Sequence, residues 1–224
     1  MRGMSQRVVE IGIRKLRVWP QRQGLTPLDE PSIKLTRFHD TAHYHPALKR
    51  RVLELREDSH FRDYIFHGGC GTKVRWIDRW ARLETDLIHA RALALFKEVY
   101  GQPPVVDDSW ASVYEKGDYC MPHSHCRSVA SVLYVLDPGD QDPTDRTSGR
   151  FCFADPRIAA CCQNEPGRMT ELLTPTLEEG SMMIFPSEWV HLVTPYAGTR
   201  PRITLSWNIH VRALPGAPGD YFRR

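Results

Sequence analysis

The sequence predicts a mainly β fold in which two sheets form a sandwich or small barrel, with helices packed on one outer face. Two observations lead to this fold class. Helical periodicity is confined to segments before Pro104. After Pro104 the chain consists of short runs rich in β-branched and aromatic residues, bounded by Gly, Pro and Asp. Helices first and strands afterwards are typical of this layered arrangement and not of an alternating parallel sheet.

The chain length predicts one domain. Its 224 residues suffice for a single hydrophobic core and are few for two independent ones. We expect a single domain over 1–224, with a helical N-terminal support region at 1–104 and a β core at 105–212. The tail at 213–224, which contains Pro and Gly, is expected to be flexible.

Two segments carry helical periodicity. Residues 46–57 begin with Pro46 and place apolar residues at helical spacing, which predicts a short amphipathic helix. Residues 77–100 repeat large apolar residues with a period of about 3.6 and end at Gly101, which predicts a longer helix.

Five later runs predict strands, and two long connections lie among them. The segment at 137–149 has almost no apolar residue and is expected to be a mobile loop between two strands. The segment at 155–178 is long enough to be a lid. The predicted strands are SWASVY, SVASVLYVL, GRFCFAD, SMMIFP and ITLSWNIHV.

Composition excludes few functions. The formal net charge is only +3, so neither a nucleic acid nor a membrane is expected as a partner. The six cysteines include no C-x-x-C pair, and no apolar run is long enough for a signal peptide or a membrane span. These features favour a reduced, cytoplasmic protein.

The segment PHSH contains two candidate metal ligands, His123 and His125. Residues at i and i+2 of a strand point to one face, so both imidazoles can reach one ion. A catalytic first-row metal usually takes three protein ligands. The best third candidate is His191, because a return strand after the run SMMIFP would carry it over the first pair.

Arg202 opens the last predicted strand. A buried guanidinium needs an anionic partner, and arginine binds carboxylates through two hydrogen bonds. Thr204 lies two residues on and would point the same way. The two residues therefore indicate a carboxylate anchor beside the metal, although Arg202 could instead pair with an acidic residue such as Asp155.

The pattern Y-x-x-G-x-Y-x-x-P-H-x-H at 114–125 resembles the signature of prolyl-hydroxylase-type Fe(II)/2-oxoglutarate oxygenases. The blocks SGRFCFADPR, EEGSMMIFPSEWVH and RITLSWN resemble a bacterial group of that superfamily, whose first ligand pair is often His-x-His. The resemblance extends from Trp110 to Asn208. It implies a double-stranded β-helix, or jelly-roll, core with iron near one open end.

The resemblance also implies the metal ligands. His123 and His191 correspond to the two usual histidines, and His125 stands where most of the superfamily has a carboxylate. This exchange raises the net charge of the site by one. Three interpretations remain: a working site with three histidines, a site with a carboxylate from Asp118 or Asp155, or a metal-binding relic.

The cosubstrate implied by the resemblance is 2-oxoglutarate. By the same correspondence, Arg202 holds its distal carboxylate and Thr204 assists. Tyr114 and Tyr134 are expected to contribute hydroxyl groups to the same anion.

The implied function is Fe(II)- and 2-oxoglutarate-dependent hydroxylation of a small molecule, amino acid or peptide, with release of succinate and carbon dioxide. One alternative is a cupin-like dioxygenase with three histidines that needs no 2-oxoglutarate. Another is a metal-binding sensor or relic without turnover. A structural zinc site that includes Cys120 and Cys126 is a further alternative, and a homodimer is left open.

Overall fold

The computed structural model describes residues 7–20, 23–29, 33–64, 69–125, 127–140, 145 and 147–211. Two α-helices lie in these ranges: α1, His45–Arg56, and α2, Leu83–Tyr100. Neither is both long and apolar enough to span a membrane. The strands are β1 Val8–Ile11, β2 Arg14–Arg17, β3 Thr26–Asp29, β4 Ile33–Arg37, β5 Arg62–Tyr64, β6 Gly69–Cys70, β7 Thr72–Arg75, β8 Pro104–Tyr114, β9 Tyr119–His123, β10 Ala130–Asp137, β11 Phe151–Phe153, β12 Ser181–Pro186, β13 His191–Val193 and β14 Arg202–Val211.

The strands form two main sheets and a separate hairpin. The large sheet has the order β3-β4-β12-β10-β14-β8-β7-β5, and the small sheet has the order β11-β13-β9-β6. The hairpin consists of β1 and β2. All of these strand pairs are antiparallel. The predicted pair of packed sheets is therefore present.

Both predicted helices are confirmed, although α2 starts later than expected. The chain makes a 3-10 turn at Ile77–Arg79, and Ala81 has a φ of 53°, which interrupts the helical path before α2 begins. At the other end, Gly101 takes the left-handed conformation with a φ of 67°, and its N–H donates to the carbonyl of Lys97. The sequence signal for the helix end was thus correct.

The expectation of a helical support region at 1–104 is incomplete. This half of the chain also contains β1–β7, and four of these strands lengthen the large sheet at its two ends. These strands are short and contain exposed or half-exposed Lys and Arg, as in TKVR and IKLTR. Such a pattern is typical of strands at the edge of a sheet. It contains too few apolar residues for the sequence alone to indicate a strand.

The large sheet has a hydrophobic core on each face. The outer core contains side chains of α1 and α2 and the residues of β14 at odd positions, such as Leu205 and Trp207. The inner core lies between the two sheets and contains Leu133, Phe153 and Met183. Because side chains alternate along a strand, each central strand contributes to both cores.

The predicted connections are present to different extents. β10 and β11 flank the connection at 137–149, of which 141–144 and 146 lie outside the described residues. The segment at 155–178 contains a 3-10 helix at Ala159–Cys161 and a bridge from Leu173 to Phe153. The tail at 213–224 lies outside the described residues. Among the cysteines that the structure describes, all are free thiols.

Candidate metal centre and cosubstrate pocket

Three imidazoles converge between the two sheets. One nitrogen from each of His123, His125 and His191 lies within 4.8 Å of the others. The ring centroids are 4.4 Å apart for His123 and His191, 5.1 Å for His123 and His125, and 5.2 Å for His125 and His191. Such a cluster can place three nitrogen ligands around one first-row metal ion.

Strand pairing in the small sheet creates this cluster. His191 on β13 lies directly opposite His123 on β9, and the register shifts just beyond this pair. β9 ends at His123, so His125 lies two residues past the strand rather than on it. Its backbone N–H donates to the carbonyl of Ser187 at 2.7 Å, which fixes the segment and turns the third ring toward the other two.

Backbone carbonyls orient two of the rings. His123 Nδ1 lies 2.8 Å from the carbonyl oxygen of Met121, and His191 Nδ1 lies 2.9 Å from that of Trp189. A carbonyl oxygen can only accept, so each Nδ1 carries the proton. Each Nε2 is therefore left with a free lone pair, which is the arrangement that metal-binding histidines use.

Burial keeps the three imidazoles neutral. It lowers the pKa of His191 to about 3, and the neighbouring His123 acts in the same direction. Burial also lowers the pKa of His125 to about 3, and it lowers the pKa of His123. The rings of Phe151 and Phe185 pack against His191, with centroids 5.3 Å and 5.0 Å away. A neutral nitrogen in an apolar wall is ready to bind a cation.

The carboxylates considered as alternative ligands lie elsewhere. Asp155 is buried, pairs with Arg157 and accepts the N–H of Val190. Asp118 accepts the backbone N–H of Glu115. Neither belongs to the cluster of candidate metal ligands, which within the described residues consists of the three histidines.

The structural zinc alternative receives no support from the position of Cys120. Its Sγ lies 3.5 Å from Nδ1 of His123, the nitrogen that faces away from the cluster, and Cys120 is not among the clustered ligands. The other cysteine of that alternative, Cys126, lies outside the described residues.

Arg202 is buried and has no anionic partner among the residues that the structure describes. It is 4% exposed, and its Nη1 has no hydrogen-bond partner among the described residues. The ring of Tyr114 lies below the guanidinium, with its centroid 5.7 Å from Cζ. The small cavity beside Arg202 is lined by Arg150 and Phe151 among others, and its described lining includes no acidic residue. The alternative pair with Asp155 does not form, because Asp155 is bound to Arg157.

The neighbours of Arg202 connect it to the metal centre. Thr204 is buried and lines the cavity that also contains the three histidines, as does Tyr114. Phe151 borders both this cavity and the one beside Arg202. Burial raises the pKa of Tyr114 far above its usual range, so its hydroxyl stays protonated. The predicted residues Arg202, Thr204 and Tyr114 thus lie on one face of the large sheet.

Tyr134 does not lie on that face, and its predicted place near the cosubstrate needs correction. The side chain belongs to the outer core, because it follows Leu133 by one residue and the alternation of β10 turns it toward α1. Its hydroxyl group bonds to the hydroxyl of Tyr44 at 2.8 Å and to Nε2 of His45. We therefore leave Tyr134 out of the proposed site.

This correction predicts a specific mutant phenotype. Tyr134→Phe removes the hydroxyl group that pairs with Tyr44 and His45, so the free energy of unfolding should fall by about 1–2 kcal/mol. The affinity for 2-oxoglutarate should not change. Urea unfolding and cosubstrate titration measure the two quantities, and a weakened cosubstrate affinity would return Tyr134 to the site.

Sequence reasoning missed a polar wall opposite the histidines. Lys73 lies in the cavity, with its Nζ 4.4 Å from the ring centroid of Trp110. Ser131 donates a hydrogen bond to Asn208 and contacts the hydroxyl of Ser187. The alternation of TKVR places Lys73 opposite Ser112 on β8, but this signal depends on recognising a four-residue strand.

A family model described as "Putative 2OG-Fe(II) oxygenase" matches residues 108–208. A search of curated proteins found no match. This matched segment contains the three histidines, Arg202 and Thr204.

Several solved structures share the fold. AviO1 from Streptomyces viridochromogenes Tue57 is 17% identical, with a TM-score of 0.60, and the match covers 84% of this chain and 93% of that one. A prolyl-4-hydroxylase from Pseudomonas putida is 16% identical, with a TM-score of 0.55 and coverage of 81% and 94%. HygX from Streptomyces hygroscopicus, solved with nickel and 2-oxoglutarate, is 12% identical, with a TM-score of 0.55 and coverage of 86% and 90%. These similarities confirm the predicted jelly-roll core.

The residues of this chain fit the cofactors that the family description names. Three neutral nitrogen ligands suit Fe(II), and an unpaired buried guanidinium suits the carboxylate of 2-oxoglutarate. The segment 108–208 is thus similar to the Fe(II)/2-oxoglutarate-dependent oxygenases, and the chain has the residues to bind Fe(II) as metal and 2-oxoglutarate as cosubstrate.

Proposed function

We propose that this protein hydroxylates a small molecule, amino acid or peptide, with Fe(II) held by His123, His125 and His191. The observation that carries the proposal is the position of three neutral imidazoles in the same inter-sheet core as an unpaired, buried guanidinium. A metal ion and a dicarboxylic acid are the ligands that such a combination attracts.

Each residue has a distinct part in this proposal. Arg202 binds the distal carboxylate of 2-oxoglutarate, and the hydroxyl groups of Thr204 and Tyr114 line the path from Arg202 to the histidines. The carbonyls that accept from His123 and His191 keep these two rings aimed at the ion. The fixed geometry lowers the entropic cost of bringing the reactants together.

The bound cofactors supply the oxidative chemistry. In a hydroxylation of this class, one atom of oxygen enters succinate as carbon dioxide leaves, and the other becomes the hydroxyl group of the product. The apolar wall of Phe151 and Phe185 limits the access of water beside His191. The polar wall with Lys73 faces the same cavity and is the place we assign to the substrate.

The decisive experiment joins metal and cosubstrate in one sample. Fe(II) is added to the protein without oxygen, 2-oxoglutarate follows, and the appearance of a visible charge-transfer band reports a complex of both. Admission of oxygen should then yield succinate and carbon dioxide. A protein that binds Fe(II) but neither binds nor consumes 2-oxoglutarate would contradict the proposal.

The third ligand gives a further prediction. His125→Asp should still bind Fe(II), because it restores the carboxylate that is more common in the superfamily. Because aspartate is shorter than histidine, the affinity for Fe(II) should fall, but it should stay within about tenfold of the affinity of the natural protein. Metal titration followed by absorption measures it. Loss of the metal would indicate a geometry built for imidazole.

A second candidate function is favoured by the ligand set itself. Three histidines without a carboxylate also suit a cupin-like dioxygenase that binds its substrate directly to iron. This enzyme would consume oxygen with its substrate at a rate that does not depend on 2-oxoglutarate. In that enzyme Arg202 would hold a carboxylate of the substrate itself, so the dependence of oxygen uptake on 2-oxoglutarate separates the two candidates.

A further inference from the structure

The polar wall of the cavity contains a cation with no acidic partner. Lys73 on β7 is half-buried, and its Nζ lies over the ring of Trp110. The nearby carboxylates of Asp63 and Asp108 are paired with Arg75. No ion pair joins Lys73 to a carboxylate within the ranges that the structure describes.

The nearest acidic groups to Lys73, Asp108 and Asp63, are not among the described residues that line the cavity. Its described lining residues include no Asp or Glu, and the metal ligands are neutral. Fe(II) adds two positive charges, Arg202 adds one, and 2-oxoglutarate offsets only part of the sum. The loaded cavity therefore keeps an excess of positive charge in a site of low dielectric, where unlike charges attract strongly.

Lys73 is separated from the cosubstrate anchor. It lies opposite Ser112 on β8, and Ser112 lies opposite Thr204 on β14, so two strand spacings separate Lys73 from the strand of Arg202. Arg202 lies in the next inward-facing row, opposite Tyr114. Two cations in neighbouring cavities can hold two different anions.

We propose that Lys73 and Trp110 form a subsite for the substrate, and that the substrate carries an anionic group such as a carboxylate or a phosphate. The inference rests on the proposed function and adds the class of substrate. Lys73 binds the anion, and the indole face of Trp110 supports the adjoining carbon skeleton. The carbon to be hydroxylated then lies toward the histidines, because the ring of His125 is 5.9 Å from that of Trp110.

The test measures binding, so it does not depend on turnover. The natural protein is loaded with redox-inert Zn(II) and 2-oxoglutarate, and phenylacetate and its neutral amide, phenylacetamide, are titrated by calorimetry. Phenylacetate should bind at least about tenfold more tightly than the amide, because only the acid can pair with the ammonium group. Phenyl phosphate as a third probe tells whether the subsite prefers phosphate.

Variants separate the role of Lys73 from general charge effects. Lys73→Met keeps the aliphatic stem over Trp110 and should reduce the preference for the acid to less than about twofold. Lys73→Arg should retain the preference. Lys97→Met is the matched control, because Lys97 is exposed on α2 at the outer face of the sheet and carries the same charge.

Each outcome bears on the inference. No binding of phenylacetate, equal affinity for both probes, or an unchanged preference in Lys73→Met would overturn it. A loss of 2-oxoglutarate affinity in Lys73→Met would assign Lys73 to the cosubstrate, which also overturns it while the proposed function stands. If the natural protein fails to bind 2-oxoglutarate at all, the proposed function fails first.

Discussion

His191→Ala should abolish stoichiometric Fe(II) binding and weaken the affinity for the metal by more than about a hundredfold. The ring of His191 is 4% exposed and lies directly across the strand pair from His123, so no other described side chain can take its place. His123→Ala should behave in the same way. Metal content after gel filtration and titration with Fe(II) under anaerobic conditions measure the loss.

A control must show that His191→Ala still folds. His210→Ala is suitable, because His210 is half-exposed on β14 and its ion pair to Asp107 is long, at 3.9 Å. Thermal unfolding without metal should be similar for both variants and the natural protein. Added metal should then raise the melting temperature of the natural protein and of His210→Ala, but not that of His191→Ala. Full metal occupancy in His191→Ala would remove this residue from the site.

Arg202→Ala should keep the metal but weaken 2-oxoglutarate binding by about 2–4 kcal/mol, or roughly 30- to 1000-fold. The reason is the loss of a charged pair in a buried place, where water cannot substitute for the missing guanidinium. Calorimetry on the protein loaded with Zn(II) measures the affinity. Arg200→Ala is the matched control, because Arg200 lies two residues earlier and is exposed.

Removal of the charge of Arg202 should weaken cosubstrate binding but stabilise the protein when 2-oxoglutarate is absent. A buried guanidinium without a partner destabilises the cosubstrate-free fold. Arg202→Met has a similar length and no charge, so it should raise the melting temperature when 2-oxoglutarate is absent. The rise that 2-oxoglutarate causes in the natural protein should vanish in this variant. Unchanged cosubstrate affinity in Arg202→Ala would contradict the assignment of the anchor.

Much of the candidate site could be predicted because its residues have strict spacing. His123 and His125 are two residues apart, and the run that ends at Pro186 predicts a turn that carries His191 back. Arg202 starts a strand, and Thr204 follows it on the same face. Local periodicity is enough to orient Arg202 and Thr204, whereas His125 lies past the end of β9 and depends on the hydrogen bond from its N–H to the carbonyl of Ser187.

Other positions depend on contacts that the sequence does not encode locally. The prediction that Tyr134 contributes a hydroxyl group to the cosubstrate fails because only the register of β10 against β12 and β14 decides which of two adjacent large residues points inward. Lys73 was missed because its four-residue strand is recognisable only through pairing with β8. The late start of α2 depends on the left-handed backbone at Ala81, for which an alanine gives no signal.

Side chains alternate along β14, so the residues that face the site and the residues that pack in the hydrophobic core are direct neighbours in the sequence. Arg202, Thr204, Ser206 and Asn208 face the cavity or its anchor, whereas the residues between them join the helix-covered core. Substitutions at cavity-facing positions can therefore change the substrate specificity with little loss of folding stability. A deletion of one residue within β14 would exchange the two sets. It would place the guanidinium of Arg202 in the helix-covered core and turn Trp207 toward the cavity. Divergent homologues should consequently vary Ser206 and Asn208 while preserving Arg202 and the length of the segment.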